Sequence, residues 1–427
     1  MNFISKQKFL IKKSINFIKG QKNNESNIFS YLVPHSPIVG HAILKFWLKG
    51  FYNRLFFFKI FFKHIIFFLF YDFKYSFRNE EHYQKKKFKY FVLTWSNYNS
   101  FSKNGLYKDK YFNYTSKNKN IFWFIIYMDD KKPKKIDKNI CLFFFKKKFS
   151  LNSFFKKIFY VFNRNKFSKH FNFGFKIYEK LEKTLNFKGK IFMPYEGQPF
   201  QNTVIKKINE NFPKIKTIGY IHSFPIALPT NLIFRDGAPE ILIVNGVEQI
   251  YCLKKYLGWK NEKIRLLPSS RFYEYKENST YFKNQIYLPY EIKSKNNLIN
   301  NLNNLFSNSK IKISPNFNVK NHPEKKKSRI HLQTIELLKK TLTKTKKKND
   351  FSIIIGATGS AIELLSRGIK VIHLSENPEF EIYSKSLWPS ITVKKIEENS
   401  FIYKAKKRKN LILLSKNSNQ FDEYLKV

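Results

Sequence analysis

Short apolar runs alternate with stretches of helical spacing along most of the chain from residue 86 onward. Lys89–Trp95, Ile121–Met128 and Ile140–Phe145 read as three buried strands, and Phe173–Asn186 as a helix. The alternation then becomes regular. A strand is predicted over Lys190–Glu196, a helix over Phe200–Phe212, strands over Lys216–His222 and Glu240–Asn245, a helix over Gly246–Leu257 and a strand over Lys263–Pro268. A second run begins near residue 285, with strands at Ile286–Leu288 and Asn316–Val319 and helices at Asn296–Phe306 and Ile330–Thr341. Ser352–Ile355 is a further strand and Gly356–Ser360 a turn. Ala361–Arg367 is a helix that Gly368 stops, and Val371–Leu374 is another strand. Strands and helices taking turns with short connections predict α/β architecture built on mostly parallel sheets.

The pattern divides the chain into four parts. Residues 1–85 are basic, aromatic and expected to be mostly helical, with a Pro/Gly-marked break at Ser30–Leu44. Residues 86–284 form a first α/β domain and 285–398 a second, smaller one. Residues 399–427 make a tail with one strand-like run, Asn410–Ser415. Phe51–Phe77 is the most membrane-like segment, but Arg54, Lys59, Lys63 and His64 interrupt it before the roughly 20 apolar residues that a span needs. It reads as a packed element of the fold or as an interfacial one.

Composition changes this picture in two places. The formal charge of +50 would attract nucleic acid or anionic lipid. The lysines are spread throughout, loops included, which matches a uniform compositional bias rather than a binding face. The two cysteines, Cys141 and Cys252, stand far apart with no metal-ligand spacing, so a reducing compartment without structural zinc is expected. No secretory signal is visible, because lysines interrupt the first residues.

Candidate chemistry collects at predicted strand ends, where ligands gather in sheets of this kind. Glu196 ends one strand beside Gly197 and Gln198, as a general base or as a solvated loop carboxylate. His222 ends the next, as a catalyst or as a hydrogen-bonded structural residue. Asn245-Gly246 marks a turn or a close backbone approach. Lys320 and His322 put two potential cations near one point, with Pro323 halting the strand. Thr358, Gly359 and Ser360 lie where a helix begins, a place that either binds a phosphate through free N–H groups or simply caps the helix. The P-loop, GxGxxG, GxSxG, HExxH and kinase signatures are all missing, and Asp129-Asp130 reads as a solvated loop rather than a metal site.

The order of these features resembles the GT-B glycosyltransferases, and within them the bacterial sialyltransferase-like and surface-carbohydrate (capsule or lipopolysaccharide) biosynthesis enzymes. The resemblance runs from about Tyr90 to Leu374 and is strongest from Lys190 on. Ala238–Phe272 also resembles the strand–Asn-Gly–helix–Gly-Trp–strand run of capsule and lipopolysaccharide sugar-transfer proteins. It implies two Rossmann-like domains facing a cleft. Glu196-Gly197 would match the acidic motif that supplies the base, His322-Pro323 the HP motif that meets the donor nucleotide, and Thr358–Ser360 the Ser/Thr motif that holds its phosphate. Lys320 would join His322 at the phosphate and Glu363 would reach the ribose. Tyr195 departs from the pattern, since the acidic motif has a second carboxylate there, and Asp236-Gly237 is the spare candidate.

The implied activity is an inverting, metal-independent transfer of a sugar from a nucleotide-activated donor, CMP-sialic-type among them, to a glycan or lipid-linked glycan acceptor. Gln198, His222, Asn245 and Asp236 are candidates for acceptor-side or secondary roles. The nucleotide sugar is a substrate and no cofactor or metal is expected. A cytoplasmic location, with peripheral contact to an anionic membrane, is the expectation. The alternatives are a related GT-B enzyme (a nucleotide-sugar epimerase or a polyol-phosphate transferase), an inactive GT-B scaffold, and a basic nucleic-acid-binding protein. No nucleic-acid-binding signature supports the last.

Overall fold

The computed structural model describes residues 2–20, 71–78, 88–149, 169–183, 189–272, 282–292, 294–307, 313–342, 349–416 and 419–427. The expected break at Ser30–Leu44 and most of the Phe51–Phe77 segment lie outside them.

The strongly apolar runs become the centre of an eight-stranded sheet. Its strands are β1 (Tyr71–Arg78), β2 (Tyr90–Ser96), β5 (Ile121–Tyr127), β6 (Ile140–Phe149), β7 (Gly189–Pro194), β8 (Ile215–Tyr220), β9 (Ile241–Val244) and β10 (Ile264–Leu266). A two-stranded pair, β3 (Lys108–Asp109) and β4 (Tyr114–Thr115), sits between β2 and β5 in sequence. The order is β1-β6-β5-β2-β7-β8-β9-β10. Every pairing is parallel except that of β1 with β6. All seven residues of β5 are buried, as expected of a parallel strand covered on both faces. Tyr71–Arg78 was expected to be part of a helical region; it is instead the antiparallel edge strand of this sheet, paired with β6.

The second sheet has the order β12-β11-β13-β14-β16-β15, from β11 (Gln285–Tyr287), β12 (Asn318–Lys320), β13 (Phe351–Ile355), β14 (Lys370–Leu374), β15 (Ile391–Glu397) and β16 (Ser400–Ala405). The first four are parallel, and β15 and β16 close the sheet antiparallel. This sheet therefore runs past residue 398, the boundary drawn from the sequence.

The helices are α1 (Phe3–Gly20), α2 (Lys169–Glu182), α3 (Pro199–Asn211), α4 (Val247–Tyr256), α5 (Lys295–Phe306), α6 (Arg329–Thr341), α7 (Ser360–Ser366), α8 (Pro378–Glu381), α9 (Arg408–Leu411) and α10 (Gln420–Lys426). The run Asn410–Ser415, expected as a strand, instead begins in α9 and continues extended, its Leu413 N–H bonded to the Asn245 carbonyl.

The two ends of the chain each cross to the other domain. Gln7 of α1 donates to the Ile382 carbonyl of the second domain, 2.8 Å, and Phe3 packs edge-on against Phe401. At the other end, Phe421 and Tyr424 of α10 are buried against the first sheet, where Phe421 meets Phe112 at 4.5 Å and the Tyr424 hydroxyl donates to the Pro268 carbonyl. One apolar core runs continuously from Phe91 and Met193 of the first sheet to Ala361, Tyr383 and Trp388 of the second domain. Two α/β domains face each other across a cleft, the layout that the resemblance implies. No described helix is long and apolar enough to cross a membrane.

Candidate functional site

The cleft has a volume of about 950 Å³ and opens at the C-terminal ends of the first sheet's parallel strands. Trp95 and Ser96 end β2 and Asn97 follows it, Met128 follows β5, Tyr195, Glu196 and Gln198 follow β7, and Ile221 and Ser223 follow β8. Tyr290 and Pro323 close it from the second domain.

Glu196 sits on a turn that its surroundings fix tightly. Gly197 has a φ of +66°, and a Cβ there would lie 1.9 Å from the Asn231 carbonyl oxygen, so only glycine fits. The side-chain oxygen of Gln201 accepts from the backbone N–H groups of both Glu196 and Gln198, and Asn231 donates to the Glu196 carbonyl at 2.8 Å. The carboxylate is held at both oxygens. His222 Nε2 lies 3.2 Å from Oε1, and the Gln198 amide donates to Oε2. The His222 side chain is 5% exposed and that of Glu196 38%, so the carboxylate reaches the cleft while the imidazole lies behind it. Tyr111 packs edge-on against that imidazole at 4.5 Å.

Tyr195, before Glu196, is a buried phenol. Its hydroxyl donates to Asn202 at 2.9 Å, and burial pushes its pKa up to about 12, so it holds the turn and carries no charge. Asp236 lies elsewhere. It pairs with Lys206 at 2.7 Å and lines a separate hollow of about 350 Å³ with Ile215 and Glu240, at the opposite edge of the sheet. Asn245 is also a structural tie. Its amide donates to the Leu267 carbonyl, and a Cβ at Gly246 would lie 2.2 Å from the Leu411 carbonyl oxygen, which explains the glycine by a close backbone approach.

On the facing wall, His322 packs edge-on against Tyr290 at 5.2 Å, and Lys325 lies over the same ring at 3.9 Å. Lys320 lies over the rings of Phe282 and Tyr287. Arg367 stacks on Phe282 at 4.2 Å and reaches Glu363 at 3.6 Å. Burial raises the pKa of Glu363, and the charges of Arg367, Lys320 and Arg271 pull it back. Arg367 contacts the carboxylate, and Lys320 and Arg271 act on it electrostatically. Arg271 comes from the first domain. Its guanidinium lies 3.5 Å from the His222 carbonyl and over the rings of Tyr111 and Phe272. Sequence reasoning missed it, because one arginine after a strand is unremarkable in so basic a chain.

The Thr358–Ser360 turn lies beside this group. The Thr358 oxygen accepts from the Ser360 N–H, 3.2 Å, and its hydroxyl donates to Ser360 Oγ. A Cβ on Gly359 would lie 2.7 Å from the Phe224 carbonyl oxygen, so the first domain presses directly on the start of α7. Thr358 thus meets the first N–H of α7, and Gly359 makes an interdomain contact.

No family model matches the chain, and no curated protein does. Among solved structures, it is similar to the crystal structure of alpha,alpha-trehalose 6-phosphate synthase from Burkholderia multivorans, with 9% identity and a TM-score of 0.29, over 60% of this chain and 67% of that one. So distant a likeness carries no argument. The reading of the site rests on its own geometry.

Proposed function

We propose that the protein is a glycosyltransferase that uses a nucleotide-activated sugar. The observation that carries this reading is a carboxylate held by two partners on the wall of a large cleft between the domains, with cations of both domains, Arg271, Lys320 and Arg367, acting together on Glu363. Glu196 accepts the proton of an acceptor hydroxyl while that oxygen forms a bond to the anomeric carbon. The bond from that carbon to the donor phosphate breaks, and its electron pair leaves with the nucleotide. Lys320, Arg271 and Arg367 offset the charge that grows on the departing phosphate, which is the electrostatic part of catalysis and the part a metal ion plays elsewhere. Attack from the side opposite the leaving group inverts the configuration.

Trp95, Tyr111 and Met128, with a side chain 60% exposed in the case of Met128, give the acceptor half of the cleft an aromatic and apolar lining suited to a glycan. A sialic-type donor, a surface-polysaccharide or lipid-linked acceptor, and peripheral binding to an anionic membrane are the finer parts of the proposal. They rest on the motif order and on the basic, aromatic N-terminal region.

Thermal stabilisation by CMP, CDP, UDP, GDP and a random oligonucleotide tests the reading without any knowledge of the acceptor. A rise in melting temperature with one nucleotide alone supports it and names the donor class. A rise with the oligonucleotide only replaces it with a nucleic-acid-binding function.

A further inference from the structure

The Glu196–His222 pair has one feature that the base role of Glu196 does not use. Ile221 and Ser223 both line the cleft, while the His222 side chain between them is buried behind Glu196. An ionised carboxylate can only accept hydrogen bonds, so the imidazole nitrogen facing Oε1 must carry the proton. That assigns Nε2–H and leaves Nδ1 as the bare nitrogen. Nδ1 is buried and has no hydrogen-bond partner among the described residues. An imidazolium would need an acceptor for a proton on Nδ1, and none is there. The charged and titratable groups around the ring are Glu196 itself, Tyr111 on its face, and Arg271, whose guanidinium approaches the His222 carbonyl.

We propose that His222 is a positioning residue: a neutral imidazole, fixed as the Nε2–H tautomer, that orients the Glu196 carboxylate toward the acceptor without neutralising its charge. This rests on the reading of Glu196 as the base. A cationic partner would bind Glu196 as a salt bridge and weaken it as a proton acceptor, whereas a neutral donor keeps the carboxylate basic. Gln198 holds the second oxygen in the same way, by an uncharged N–H. Such holding matters because a misplacement of about 1 Å at a reacting group costs on the order of 100-fold in rate.

The test uses the full chain and four variants, His222→Gln, His222→Asn, Glu196→Gln and the double variant His222→Asn with Glu196→Gln. A glutamine amide nitrogen falls near the position of Nε2, and an asparagine amide near Nδ1, so the two single variants at 222 differ only in where they offer a donor. Melting temperatures establish that each one folds.

The first readout is independent of turnover. Nitrogen NMR of histidine-labelled protein at pH 7, with the His222 signal identified by its loss in His222→Gln, is expected to show a neutral ring protonated at Nε2. A ring protonated at Nδ1, or an imidazolium, overturns the proposal.

The second readout is hydrolysis of CMP-, UDP- and GDP-sugars, with water standing in for the acceptor. We expect kcat to fall about 10- to 100-fold in His222→Asn with the donor KM unchanged, and to recover to within about fivefold of the parent in His222→Gln. The double variant should be no slower than Glu196→Gln alone. Equal activity of the Gln and Asn variants, whether both full or both lost, overturns the proposal, as does additive loss in the double variant. If the parent protein hydrolyses none of these donors and none of the nucleotides stabilises it, the glycosyltransferase reading fails, and the nitrogen spectrum still decides the state of the pair.

Discussion

The turn that carries Glu196 on the wall of the cleft is held by its own domain; the turn that starts α7 is tied to both domains. Gln201, Asn231 and Asn202 fix the first through hydrogen bonds within one sheet's connections. For the second, the Tyr383 hydroxyl donates to the carbonyls of both Pro225 and Thr358, Trp388 donates to the Ala227 carbonyl, and Gly359 lies against Phe224. The difference teaches that the carboxylate side is built as a rigid local unit, while the geometry of the cationic side depends on how the domains meet.

The histidines repeat the contrast. His222 faces a carboxylate at the edge of the cleft. His373 is fully buried, donating through Nε2 to the Gly356 carbonyl and accepting from the Tyr403 hydroxyl, and so braces the second turn from below.

The sharpest way to break the comparison is Gly197→Ala. Its Cβ has no room and its backbone lies in the left-handed region, so a loss of about 3–5 kcal/mol is expected in denaturant unfolding. Gly356→Ala, with a similar φ of +64° but only the Pro289 side chain at 3.3 Å, should cost about 1–2 kcal/mol. Equal losses at the two positions would remove the distinction between the walls.

Next in size is an effect of pH. Burial lowers the pKa of His373 to about 4 from an ordinary value of 6.5. As the pH falls through 6.5 the unfolded chain takes up this proton first, so its contribution is fully present above 6.5 and is lost progressively toward pH 4. The loss amounts to about 3 kcal/mol, which His373→Gln should remove from the pH dependence of unfolding.

Tyr383→Phe leaves two carbonyls without this donor and should cost about 2 kcal/mol. If the cationic wall depends on domain contact, this variant also weakens nucleotide binding measured by calorimetry, although Tyr383 belongs to no part of the proposed phosphate group. Unchanged affinity would show that the second turn stands without the first domain.

The smallest effects are expected at the cations. Lys320→Ala and Arg271→Ala should each weaken nucleotide binding about tenfold, with a shallower salt dependence than the parent protein. An effect at Lys320 alone would confine the anion site to the second domain.

Much of this architecture was legible in the chain. The strands of the eight-stranded sheet from Tyr90 to Leu266 and the helices between them were marked by largely apolar runs and by Gly and Pro at the turns, so local pattern and tertiary environment agree. The short β3–β4 pair was not, and neither were β1 and the β15–β16 hairpin. Their alternating, lysine-bearing sequences carry a weak signal, and they form because an exposed sheet edge is available to pair with. Asn410–Ser415 looked like a strand because Leu411 and Ile412 are apolar, but they are buried against the first domain rather than in a sheet.

The site divides in the same way. Glu196, Gly197 and Gln198 are neighbours in sequence, and the strand end that presents them follows from the apolar run before them. The sequence by itself determined two parallel-sheet domains and the strand-end placement of Glu196, His222 and Lys320, because burial periodicity and turn chemistry are local properties. Only the tertiary structure decided that His222 backs Glu196, that Asp236 lies on the opposite edge, and that Arg271 joins Lys320 and Arg367 around Glu363. Those are distances between strands far apart in sequence, and they are set by sheet order and by the packing of one domain on the other.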